Sequence, residues 1–140
     1  MNRMHSPRTV TRLMFLGLLA TVIADAGAAD APAMEQVATA YTSAARPLLA
    51  RYCLECHSTE LMEGDLDLER FASLSDVRNS TRVWLKVAEM LDSGEMPPKD
   101  ARRMPARDRQ TLRDWLTQYL RAESVASAGD TLAAEHVRDQ

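Results

Sequence analysis

Apolar residues along this chain of 140 residues gather into separate blocks. The first is an unbroken run, Leu13 to Ala24 (LMFLGLLATVIA). The others are periodic. Leu48, Leu49, Tyr52 and Cys53 fall at helical spacing behind Pro47, a residue suited to the first turn of a helix. This predicts a helix from Pro47 to about Cys56. Trp84, Val87, Ala88 and Leu91 follow at i, i+3, i+4 and i+7. Ser80 or Thr81 can cap that helix, and Gly94 stands where a left-handed residue ends one. Pro105 opens a last helix with the stripe Leu112, Trp115, Leu116, Tyr119 and Leu120, expected to close the core against the helix at Pro47. From Glu35 a weaker helix runs through Val37, Ala40, Tyr41 and Ala44. Between the blocks, Ser58 to Leu74 has no sustained period. Leu66-Asp67-Leu68 alternates over too few residues for a strand. An irregular loop with inward-turned leucines is expected there. Beyond Ala122 the apolar pattern fades. The pattern predicts an all-α domain.

The first block changes the picture of the chain's ends. Arg3, Arg8 and Arg12 precede it, and small residues follow in Ala24-Asp25-Ala26-Gly27-Ala28-Ala29. That is the layout of an export signal, with cleavage expected after Ala26, Ala28 or Ala29. The run is shorter than the ~20 residues that span a bilayer, so no retained membrane anchor is expected. The expected layout is a signal at 1–28, a linker or weak helix at 29–45, the helical domain at 46–122 and a polar tail at 123–140. The chain's net charge is −3; without three arginines and one aspartate of the signal it is −5. An acidic, exported domain does not invite nucleic acid and suits a basic redox partner.

Chemistry concentrates in Cys53-Leu54-Glu55-Cys56-His57, which holds both cysteines and one of three histidines. Two thiols three positions apart with an imidazole directly after them match c-type haem attachment. Each thiol adds across one porphyrin vinyl group, and the imidazole can then bind the iron. Three other readings compete. Two incidental cysteines need no function at all. A thioredoxin-like redox pair expects a βαβ context, which the pattern lacks. Structural zinc needs four ligands, and His5 and His136 lie at opposite ends of the chain. Haem c, one per chain with its iron, is the expected cofactor. A small domain that wraps such a plate is expected to be loose without it.

A second iron ligand is then sought. Met96 precedes Pro97-Pro98, which keeps it extended, and lies 39 residues after His57. That is chain enough to reach the opposite haem face. A thioether there raises the reduction potential. Met104, held extended before Pro105, is the serious rival. Met62 is too near His57, and Met90 adjoins the apolar face of a helix. Lys99, Arg102 and Arg103 form a charged loop that could pair with haem propionates or simply be solvated. Asp65, Asp67 and Glu69 lack the spacing of a calcium loop.

The CLECH motif, Leu66-Asp67-Leu68, Trp84, Gly94-Glu95-Met96-Pro97-Pro98 and Trp115-Leu116 together resemble the Planctomycete-type cytochrome c domain, over about Ala45 to Ala122. The resemblance implies a small cytochrome-c-like helical fold around one haem, with His57 and Met96 as axial ligands. In that family the module often begins a longer exported protein. A stand-alone carrier and a shortened relative are both compatible with that. The expected function is periplasmic or otherwise exported one-electron transfer to a redox partner protein or oxidoreductase domain. No substrate chemistry is expected of it, so it is read as a carrier and not an enzyme. A haem enzyme or gas sensor needs a labile sixth position, and a haem-free interaction module needs none of this chemistry.

Overall fold

The structure is a computed structural model and describes residues 31–138, with side chains up to Thr131. The export signal expected at 1–28 lies outside the described residues. Five helices carry the fold: α1 (Met34–Ala40), α2 (Arg46–Tyr52), α3 (Leu74–Arg78), α4 (Thr81–Ser93) and α5 (Ala106–Arg138). Among the described residues there is no strand, as the all-α pattern predicts.

The N-terminal half departs from expectation. The weak helix and the helix at Pro47 are one continuous rod, because the wider π turn Tyr41–Ala45 joins α1 to α2. Pro47 therefore stands in the first turn of α2, as expected, but inside the rod and not at its start. A proline inside the rod has no N–H to give, and the wider turn lies directly N-terminal to it. The rod also ends at Tyr52, short of the predicted Cys56.

α5 packs against α1, the π turn and α4. It thus closes the core against the first half of the rod more than against α2, where the sequence placed it. Its stripe is buried at Leu112, Trp115, Leu116 and Tyr119, each 2% exposed or less. Trp115 is the hub. Its ring stacks on Tyr119 at 5.7 Å, tilts over Tyr41 at 5.0 Å and meets Trp84 edge-on at 5.5 Å. Its indole N–H donates to Val37 O at 3.2 Å, tying α5 to α1. Such aromatic pairs add about 0.5–1.5 kcal/mol each beyond their buried area. Both tryptophans are core, as expected.

α3 is the element the pattern missed. Ser73 caps it through a reciprocal box: Asp76 N–H donates to Ser73 Oγ, and Ser73 N–H to the Asp76 carboxylate. The Ser73 hydroxyl, and after it the Ser73 N–H, donate to the Asp76 carboxylate and hold it below its usual range. α5 also runs on through the segment expected to be a polar tail, as far as Arg138. Small helix-compatible residues such as Ala126 and Ala128 let the helix continue although no residue from Ser124 to Thr131 is buried. His136 lies beyond the described side chains. No helix of the described residues is long and apolar enough to cross a membrane.

Candidate functional site

The CLECH stretch leaves the rod at Tyr52 and turns twice. Cys53 N–H still reaches back to Leu49 O, and His57 N–H closes a turn on Cys53 O at 2.9 Å. The loop behind then folds onto the motif. Glu63 N–H donates to Cys56 O at 3.0 Å, and Leu68 N–H to His57 O at 2.8 Å. Met62, Gly64 and Asp65 make this return with positive φ. Leu68 and Phe71 are buried, whereas Leu61 is 57% exposed, so the inward turn predicted for the leucines is only partial.

His57 is oriented by backbone alone. Its Nδ1 lies 2.8 Å from Glu63 O. A carbonyl can only accept, so Nδ1–H is the donor, and in the neutral ring Nε2 is then the nitrogen with the free lone pair. An imidazole held this way is prepared to ligate through Nε2.

Both cysteines are free and partly buried. Burial pushes the Cys53 thiol up to about 11, with Cys56 beside it adding to the rise. Cys56 is raised as well, first by loss of water and then by the Glu63 carboxylate. Asp100, two residues past Pro98, is the last among the charges that raise Cys56. Redox-active cysteine pairs rely on a lowered thiol pKa. These thiols are shifted the other way, and the chain has no strand context among the described residues. A thioredoxin-like pair is therefore disfavoured. Among the described residues no three His, Cys, Asp or Glu side chains are grouped to hold a metal ion, which disfavours zinc.

The donor set fits a covalently held haem: two free thiols and, directly behind them, an imidazole with Nε2 available. Several large apolar side chains stand uncovered among the described residues. Leu61 and Met62 lie in the loop after the motif, Leu85 on α4, and Met96 is 37% exposed. The Trp84 indole N–H is buried and has no acceptor among the described residues.

The two methionines left open by the sequence differ here. Met104 is 7% exposed and belongs to the core cluster. Met96 sits past the left-handed Gly94 (φ 76°), with its side chain outside that cluster. Lys99, Arg102 and Arg103 are exposed.

Two contributors could not be read from the sequence. Glu63 acts through its main-chain oxygen, which no residue type announces. Arg109 donates to Leu91 O and Met96 O from α5, and in the sequence it is one charge among several at a helix start.

Nothing among the curated proteins or the solved structures matches this chain. Residues 53–100, from the first cysteine to just past the two prolines, match the family model Planctomycete cytochrome C, which is consistent with a CxxCH-type cytochrome domain, and haem c with its iron is the cofactor which that family implies.

Proposed function

We propose that this chain holds one haem c and passes single electrons, with His57 and Met96 as the two axial ligands. The observation that carries the reading is the His57 ring, locked by Glu63 O with Nε2 left available, directly behind two free thiols. Bound haem supplies a one-electron iron couple whose potential the ligands and the surrounding dielectric set. The residues do the rest. Cys53 and Cys56 would hold the ring as thioethers, and a single CxxCH motif provides for one such group. Met96 is preferred over Met104 because the Met104 side chain already fills the core. The aromatic cluster of Tyr41, Phe71, Trp84 and Trp115 supplies an apolar wall that excludes water. No acid–base dyad or nucleophile is part of the reading, so it is a carrier and not an enzyme. The work is placed outside the cytoplasm, where the N-terminal signal would send the chain, and a basic redox partner suits its acidic balance.

The test is the mature protein from a host able to attach haem c. A pyridine haemochrome spectrum and intact mass should show one haem added through two thioethers. Reduced and oxidised spectra should show low-spin iron, with a sulfur-to-iron band at the red end when ferric. His57→Ala should abolish stable incorporation. Bare polypeptide from the wild-type chain in such a host would sink the proposal.

A further inference from the structure

Arg109 lies in the first turns of α5 and is half-buried. A single nitrogen, Nη1, donates to two main-chain oxygens, Leu91 O and Met96 O, both at 2.9 Å. Leu91 belongs to the last turn of α4, where carbonyls have no helical N–H left to accept from. A cation there also suits the negative end of the helix dipole. Met96 is held from its other side too, since its own N–H donates to Met90 O at 3.1 Å. The backbone of Met96 is thus fastened at both its polar atoms, once to α4 and once, through Arg109, to α5.

The neighbouring cations do not share this task. Arg113 pairs with Asp92 at 2.5 Å, which joins the same two helices without touching Met96. Lys99, Arg102 and Arg103 are exposed and make no hydrogen bond to the loop among the described residues.

Building on the ligation proposed above, we infer that Arg109 is the positioning residue of Met96: it fixes the Met96 main chain so that the thioether is presented at one place. The fastening opposes departure of the thioether, because a displaced Met96 needs its loop to move. Removing the guanidinium frees the Met96 carbonyl and lets the loop swing. A charge-assisted hydrogen bond at a partly exposed carbonyl is worth about a factor of ten in such an equilibrium.

The experiment is displacement of the sixth ligand by imidazole in the ferric holoprotein, followed by the red-end sulfur-to-iron band. Apparent affinity scales with the fraction of molecules whose thioether is off. Arg109→Gln should bind imidazole about tenfold more tightly than wild type. Arg109→Lys, one bond shorter than the Nη1 position, should fall between the two. Arg113→Gln should lose stability to denaturant yet keep wild-type imidazole affinity, which separates positioning from general support. Should Arg109→Gln not be recovered as folded holoprotein, Arg109→Lys decides alone, and wild-type affinity there overturns the inference. Met96→Ala distinguishes the two levels of the reading. If it lacks the band while Arg109→Gln binds imidazole as wild type does, the positioning role is wrong and Met96 ligation stands. If Met96→Ala keeps the band, the ligation fails and the positioning role with it.

Discussion

Tyr41→Phe removes one oxygen from the fully buried core, and its cost can be worked out in advance. Tyr41 lies in the π turn with no exposed surface. Its hydroxyl donates to Phe71 O at 2.5 Å, across 30 residues of sequence. The phenylalanine ring keeps the contacts with Trp115 and Trp84, so packing is nearly conserved. What changes is the Phe71 carbonyl, which has no other hydrogen-bond donor among the described residues. An unsatisfied buried carbonyl costs about 1–3 kcal/mol. About 2 kcal/mol corresponds to a fall in Tm of roughly 10 °C for a domain of about 100 residues. The assay is denaturant and thermal unfolding of the holoprotein, with the slope m unchanged. A pH series adds a second signature. Burial pushes the Tyr41 phenol up to about 12. As pH rises from 10 towards 12 the unfolded chain ionises first, so stability present below pH 10 is lost across that window. In Tyr41→Phe the loss should be shallower. A shift in stability below about 0.5 kcal/mol, with an unaltered alkaline limb, would refute the reasoning.

Met104→Ala should cost about 2–5 kcal/mol as a buried-methionine truncation, yet leave the red-end band in place; unfolding curves and ferric spectra of the two alanine variants at 96 and 104 check the pair. Ser73→Ala should lose about 1 kcal/mol with the capping box of α3. Because the native Asp76 carboxyl is held low, its stabilisation exists above the ordinary carboxylate range and fades as pH falls through it; acid unfolding of Ser73→Ala should show a weaker dependence there. Gly94→Ala meets no atom within 4 Å, so its penalty is backbone alone, about 1–2 kcal/mol at φ 76°, and a neutral result in equilibrium unfolding would contradict that φ.

The parts of the fold that were legible in the sequence are those governed by local chemistry. Trp84, Leu91 and the Leu112–Tyr119 stripe repeat at helical spacing because they face one core, and Gly94 and Pro97-Pro98 end α4 for conformational reasons of their own. The haem motif was legible because the chemistry demands those residue types in that order. What could not be read depends on the third dimension. Pro47 looked like a helix start because nothing in residue types marks a π turn. α3 is only five residues long, too short for a periodic signal, although Ser73-Leu74-Ser75-Asp76 carries the capping-box spacing that could have found it. From Ser124 to Thr131 α5 buries no residue, so no apolar face reveals that stretch. At the site, Met96 and Met104 both precede a proline and were equivalent by that criterion. Burial separates them, and burial is a property of the assembled helices.

The wide turn at Tyr41–Ala45 has a consequence for where the haem motif ends up around the rod. Val37, Tyr41, Ala45 and Leu49 are all buried, at a stride of four residues. On an unbroken α-helix that stride drifts by about 40° at each step, so Leu49 would end about a third of a revolution away from Val37. The looser winding gives back part of that drift and keeps the four side chains aimed inward. It thereby sets the compass bearing at which Tyr52 hands the chain over to Cys53, and deleting one residue from the turn would swing both thiols by about 100° about the axis of the rod.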